Sequence, residues 1–215
     1  MRYKLNNKRG FTLVEVAVAS VLAGILAAAT IPSLHEFLDG QDATATATTL
    51  STIAAGISQY EKVVLANTTG SNVYPGNISY LTNAITTASL NSCGAAYSTT
   101  SGGAANLVTD WNTNSPFVNF YIPPGGFQTP VGVIQDQLVR LPAPGTTPVV
   151  GQLAIVMTAI SQDDAMRLER IIDGDDGTIA ANQTSGTFRI TALNGTGSQT
   201  RTASVQYLLP AAAKC

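Results

Sequence analysis

KRGFTLVEVAVASVLAGILAAATI, residues 8–31, decides how this chain is read. From Phe11 to Ile31 every side chain is apolar or small except Glu15. As a helix, that stretch is long enough to cross a hydrocarbon core of about 30 Å. The segment therefore spans a membrane or is removed. Arg2, Lys4, Lys8 and Arg9 precede it, and basic residues stay on the cytoplasmic side, so everything after the segment faces outward.

Three explanations compete for the segment. A general secretory signal has a basic start, an apolar core and a small-residue cleavage site, which Ala27-Ala28-Ala29 supplies. A plain membrane anchor needs only the apolar run. Both leave Glu15 unexplained, and a carboxylate placed in a bilayer core usually marks function. The third explanation uses every residue. Lys8-Arg9-Gly10 followed by Phe11-Thr12-Leu13-Val14-Glu15 closely resembles the prepilin peptidase site of type IV pilins, a signal shared with the pseudopilins of type II secretion systems. In that family cleavage falls after the glycine and the new N-terminal phenylalanine is methylated. Glu15 then stands fifth after the cut, Gly24 fourteenth and Pro32 twenty-second, all positions where the family carries these residue types.

The resemblance implies an α+β pilin fold, a long N-terminal α-helix packed against a C-terminal antiparallel β-sheet. Residues 1–10 become the leader peptide, 11–32 the transmembrane and filament-core half of the helix, 33–66 its amphipathic half, and 67–215 the globular head. Gly10 and Phe11 flank the cleavage site, and Phe11 is the methylated residue. Glu15 is expected to pair with the amino group of Phe11 on a neighbouring subunit, because a buried charge left unpaired is strongly unfavourable. Gly24 and Pro32 weaken a helix locally, so a kink or melted stretch is expected near them. The implied partners are other copies of the chain, the prepilin peptidase and the inner-membrane assembly machinery. The implied location is the bacterial inner membrane before assembly, with the N-terminus cytoplasmic, and an extracellular surface filament afterwards. Cys93 and Cys215 are the two cysteines. In an exported protein they read as one disulfide that ties down the C-terminus, and in a reducing compartment they would be two unrelated thiols. Pilins often close their C-terminal region in the first way.

Beyond the membrane segment, Leu34, Phe37, Leu38, Leu50, Ile53, Ala54, Ile57, Tyr60 and Val64 recur at spacings of three and four, the pattern of an amphipathic helix. From Phe11 to Ala66 such a helix would be roughly 84 Å long at 1.5 Å per residue. Thr44 to Thr52 is its least helix-prone stretch. Asn67 to Asn72 are turn formers that end it. Tyr80 to Leu90 reads as a short helix and Ser98 to Ala105 as a flexible loop. Phe117 to Ile122, Val131 to Ile134, Val149 to Thr158, Gly186 to Leu193 and Ser204 to Leu209 read as strands, rich in β-branched and aromatic residues. Pro123-Pro124-Gly125-Gly126 and Pro142-Ala143-Pro144-Gly145 are breaks. Ser161 to Ile172 reads as a three-turn helix, with Ser161 as its cap and Asp164 completing a capping box.

Composition excludes several functions. Charged residues are only 11% of the chain, against about 25% in an average soluble protein, which suits a surface that packs on copies of itself. Past residue 10, 7 basic and 13 acidic side chains leave a net charge of −6, so no nucleic-acid partner is expected. The run Asp173-Gly174-Asp175-Asp176-Gly177-Thr178 is tempting as a calcium loop but lacks the EF-hand spacing and its glutamate, and it reads as a solvated acidic turn. No metal, cofactor or catalytic residue is expected, since His35 is the lone histidine and follows the membrane segment directly. Asn67, Asn77, Asn182 and Asn194 head glycan-type triplets that chance supplies in a Thr- and Ser-rich chain. An adhesive tip role would show as an exposed basic or aromatic patch, whereas Trp111, Phe117, Phe120 and Tyr121 read as core.

Overall fold

The computed structural model describes residues 12–63, 74–97, 104–142, 150–174, 185–194 and 202–214. Helix α1 runs Leu13–Val63, α2 Ala104–Asn114 and α3 Gln162–Asp173. The strands are β1 Phe127–Gln128, β2 Val133–Pro142, β3 Val150–Ser161, β4 Phe188–Asn194 and β5 Thr202–Lys214. A long N-terminal helix followed by an antiparallel sheet is the α+β arrangement of a pilin fold. The chain divides into two compact units, one ending at Gln41 and the other beginning at Asp42.

In the first unit α1 is continuous across Gly24 and Pro32. Proline has no N–H to give the carbonyl four residues back. Threonine and serine hydroxyls bond other carbonyls of this stretch: Thr30 Oγ1 donates to Leu26 and Ala27, and Ser33 Oγ to Thr30.

In the second unit, Ala43, Leu50, Ile53, Ala54, Ile57 and Tyr60 form one buried stripe on α1, as the spacing of three and four requires. This stripe belongs to the same hydrophobic cluster as Ile134, Leu138, Ile155, Met157, Ile190 and Val205 of the sheet. The Thr-rich stretch stays helical because the hydroxyls of Thr46, Thr48, Thr49 and Thr52 bond the carbonyls four residues earlier, which satisfies them without leaving the helix. Residues 64–73, where the turn formers were read, lie outside the described residues.

The sheet order is β1-β2-β3-β5-β4 and every pairing is antiparallel. The last strand is thus inserted between β3 and β4, with Met157 opposite Val205 and Val205 opposite Ile190. Helix α3 starts as read: Ser161 Oγ accepts from Asp164 N–H at 3.1 Å and donates to its carboxylate at 2.6 Å. Gly174, at φ 72°, closes it in the left-handed region, where glycine carries no Cβ penalty.

Four expectations need correction. Phe117 to Ile122 is not a strand but an irregular segment entered through a cis Ser115–Pro116 bond; its buried side chains fill the core without ladder bonds. Strand β2 extends far past Ile134 to Pro142, because Leu138 reaches the core and Asp136 is bonded at a bulge. Helical structure near Tyr80 to Leu90 is one turn at Ile78–Leu81. Ala104 and Ala105, assigned to a loop, begin α2, whose Leu107 and Trp111 lie four apart and are both buried.

An aromatic cluster joins these parts. Tyr60 of α1 packs at a tilt against Trp111 of α2 with ring centroids 4.4 Å apart and meets Phe117 edge-on at 5.7 Å. Trp111 Nε1 donates to the Tyr80 carbonyl at 2.7 Å, the partner a buried indole needs. Tyr74 and Tyr97 lie nearby, and Tyr97 Oη donates to the Tyr74 carbonyl. Burial first, and then the neighbouring Glu61, push the Tyr74 hydroxyl up to about 12, and burial also raises Tyr97 well above the ordinary tyrosine range. A folded state that holds its proton more tightly is fully stabilised below the unfolded value of about 10 and loses that stability as pH rises from there through 12. Unfolding followed at rising pH is therefore expected to show a flat stability up to about pH 10 and a fall above it, with tyrosinate absorbance delayed relative to the unfolded chain.

At Gly56, α1 comes close to the irregular segment. A Cβ there would lie 2.6 Å from Val118 Cγ1 and 3.2 Å from the Phe117 carbonyl. Alanine normally gains about 1 kcal/mol over glycine in a helix. Overpacking costs about 1 to 3 kcal/mol, so Gly56→Ala is expected to be neutral to destabilising, and Gly56→Val clearly destabilising, by denaturant midpoint.

Candidate functional site

The candidate element is the start of α1. Thr12 lies just before the helix and Glu15 in its first turn. Thr12 N–H and Thr12 Oγ1 donate to Glu15 Oε2 at 2.8 and 2.9 Å, and Glu15 N–H donates back to Thr12 Oγ1 at 3.3 Å. This is a reciprocal capping box. The Thr-x-x-Glu pattern that announces it stands in the sequence at residues 12–15 and was missed because Glu15 was read for its charge alone. Its carboxylate also sits at the positive end of the helix dipole. Gly10 and Phe11 lie outside the described residues.

From this box onward the helix is apolar on all sides, and its large apolar side chains are exposed among the described residues. Leu13 is 86% exposed, Leu26 66% and Phe37 60%, and Val14, Val18, Val21, Leu22, Ile25, Ile31 and Leu34 are exposed with them. A helix apolar all round needs lipid or other helices around it. The Ser20 hydroxyl bonds the Val16 carbonyl and the Thr30 hydroxyl its own helix, so these polar groups bring no unmet demand into an apolar medium. Past Ile31 the helix acquires His35, Glu36, Asp39 and Asp42, and burial of its one face begins at Ala43. The change from all-round to one-sided apolarity therefore falls close to the boundary between the two units.

The remaining sequence candidates are placed as follows. Cys93 is half-buried in a turn whose N–H groups at Cys93 and Ala95 both donate to Asn91 Oδ1; Cys215 lies outside the described residues. Asp173 is more than part of a solvated turn: its carboxylate accepts from Thr187 N–H at 3.1 Å and Phe188 N–H at 2.8 Å, latching the end of α3 to the start of β4. Residues 175–184, the rest of the acidic run, lie outside the described residues. Among the described residues no group of three or more His, Cys, Asp or Glu is placed to hold a metal. Asn77 is turned inward, its amide donating to Asp136, while Asn194 is exposed at the end of β4. Of the four aromatic residues assigned to the core, Trp111 and Phe117 are buried and Phe120 is half-buried, but Tyr121 is 67% exposed. It alternates outward because Ile122 beside it takes the inward position.

Residues 5–31 match a family model described as the prokaryotic N-terminal methylation motif. No curated protein and no solved structure matches the chain. The match supports a prepilin- or pseudopilin-type protein, and the family that carries this motif consists of structural pilin-like proteins. It implies processing by a prepilin peptidase and handling by a membrane assembly machinery, and the apolar helix that follows fits anchoring in the inner membrane.

Proposed function

We propose that the chain is a structural subunit of a type IV pilus, cut between Gly10 and Phe11, N-methylated at Phe11, and assembled through α1 into a helical surface filament that serves adhesion, motility or uptake. The observation that carries this reading is the run of α1 from Leu13 to Leu38, whose large apolar side chains are exposed and whose polar groups are a capped Glu15, the self-bonded Ser20 and Thr30, and the residues past Ile31. Membrane lipid covers such a surface before assembly and the helices of other copies cover it afterwards, so the same residues serve both states. In the filament Glu15 pairs with the Phe11 amino group of a neighbouring copy. The closure of the head by Cys93–Cys215 belongs to the same reading. It is supported by Cys93 being in a disulfide in a chain whose one other cysteine is Cys215, and non-reducing peptide mapping checks it.

The deciding experiment deletes the gene, images surface filaments and weighs this protein's share of purified fibres. Abundant pili that vanish with the gene and consist mainly of this subunit are the expected result. Intact pili with failed protein secretion would replace the pilus reading with a type II secretion pseudopilus. Intact pili lacking only attachment would make the chain a minor adhesive subunit.

A further inference from the structure

We infer that the head carries a binding site for a carboxylate beside the start of β4 and the middle of β5. An open cavity of about 520 Å³ lies there, within the size range of small-ligand sites. Its polar lining is Gln152, Thr187, Arg189 and Tyr207, and Ala54 and Leu209 are among its apolar walls.

Arg189 is the one charged side chain in that lining. It is half-buried, and its Nε donates to the Gly186 carbonyl at 3.1 Å. That bond holds the guanidinium while leaving both Nη amino groups without an acceptor among the described residues. The half-buried Tyr207 hydroxyl has no acceptor there either, and Gln152 gives one of its two amide N–H groups to a long 3.4 Å bond with the Leu209 carbonyl. Asp173, a carboxylate close enough to act on Tyr207, has both oxygens engaged by the backbone N–H groups of Thr187 and Phe188.

Arg189 is thus the one charged side chain of the lining, with the Gln152 amide and the Thr187 and Tyr207 hydroxyls beside it as further donors. A planar, singly charged acceptor matches it, because a carboxylate meets a guanidinium edge with two parallel hydrogen bonds. A doubly charged phosphate suits it less, with one cation available in a part of the chain whose net charge is negative. The apolar walls take the hydrocarbon part of the acid. Two sources offer this chemistry: a small free carboxylic acid, or an acidic side chain of a second copy, the latter resting on the filament reading.

The test disperses the full chain in detergent micelles and uses benzoate as the probe, with benzamide as its uncharged control. Saturation-transfer NMR is expected to show saturable benzoate binding, little for benzamide, and affinity weakened at least about tenfold by Arg189→Gln. The near-UV circular dichroism of Trp111 reports whether that variant is folded. Should it misfold, Tyr207→Phe and Gln152→Leu carry the test, each expected to weaken benzoate several-fold. Equal binding of benzoate and benzamide, or folded variants that bind benzoate as wild type does, overturns the inference. Purified filaments then identify the source: if they bind benzoate the site serves a free acid, and if binding is lost on assembly a neighbouring copy fills it. The micelle result stands or falls without filaments, so failure to polymerise would strike the filament reading alone.

Discussion

Glu15→Gln is expected to lower the yield of assembled filament at least about tenfold while leaving the start of α1 folded. The reasoning separates two jobs that Glu15 does at once. Its carboxylate accepts from Thr12 N–H and Thr12 Oγ1, and glutamine fills the same place in a capping box. What glutamine cannot supply is charge. Those Thr12 donors come from Glu15's own chain, so the cap itself needs no second subunit. On the proposed reading, cleavage creates an amino group at Phe11 that needs a counter-charge in a water-free helix bundle, because an unpaired buried ion is strongly unfavourable. Thr12→Ala makes the complementary change: it removes the hydroxyl and leaves both the backbone N–H and the charge. Sheared filament measured against the cell-bound pool should show Glu15→Gln as deficient as Glu15→Ala, with Thr12→Ala closer to wild type. Normal yield from Glu15→Gln alongside a defect in Thr12→Ala would mean that Glu15 acts as a cap and not as a charge.

The sequence made this element legible because its signals are local. A cleavage motif, one carboxylate and an apolar run all lie within residues 8–31, and helix periodicity then carries the reading through Tyr60. The cap of α3 was equally local, with Ser161 three residues from Asp164. Strand β3 and the neighbourhoods of β4 and β5 were readable from β-branched runs. What escaped depends on distant contacts. Phe117 to Ile122 has strand composition, but its backbone is engaged elsewhere: Phe117 N–H donates to the Leu81 carbonyl, and the Ile122 carbonyl accepts from Asn83. Those partners lie 36 and 39 residues upstream, beyond any local pattern. Strand β2 was cut short for a similar reason. Gln135 to Gln137 interrupts apolar alternation where the register shifts between Ile134 and Leu138, and no neighbour in sequence explains a buried aspartate there.

That aspartate gives the largest expected loss of stability. Asp136→Ala should destabilise the head by about 3 to 5 kcal/mol, read as a lower denaturant midpoint for the full chain in micelles. Asp136 is buried, and its oxygens accept from Asn77 Nδ2 at 2.9 Å, Ser79 N–H at 2.8 Å, Ser79 Oγ at 3.0 Å and Gly125 N–H at 3.0 Å. Hydrogen bonds to a charged group are worth about 1.5 to 3 kcal/mol each. Their simple sum overstates the loss, because the mutation also removes the desolvation cost of the ion, itself several kcal/mol. The bonds fasten three segments: the 3₁₀ turn Ile78–Leu81 with its cap Asn77, which also bridges Gln137, the Pro-Gly turn at 123–126 and the bulge of β2. Gly126 shows how tightly they are drawn together, since at φ 89° a Cβ there would collide with the Ile134 carbonyl. Asp136→Asn keeps one acceptor oxygen but turns an amide donor toward donors, so it should lose at least about half as much. Hydrogen exchange sharpens the assignment: the amides of Ser79 and Gly125 should lose protection in both variants before the β3 and β5 amides do. A loss under about 1 kcal/mol, or uniform exchange across the sheet, would mean that the turns are held by their apolar contacts and that the buried carboxylate is incidental to them.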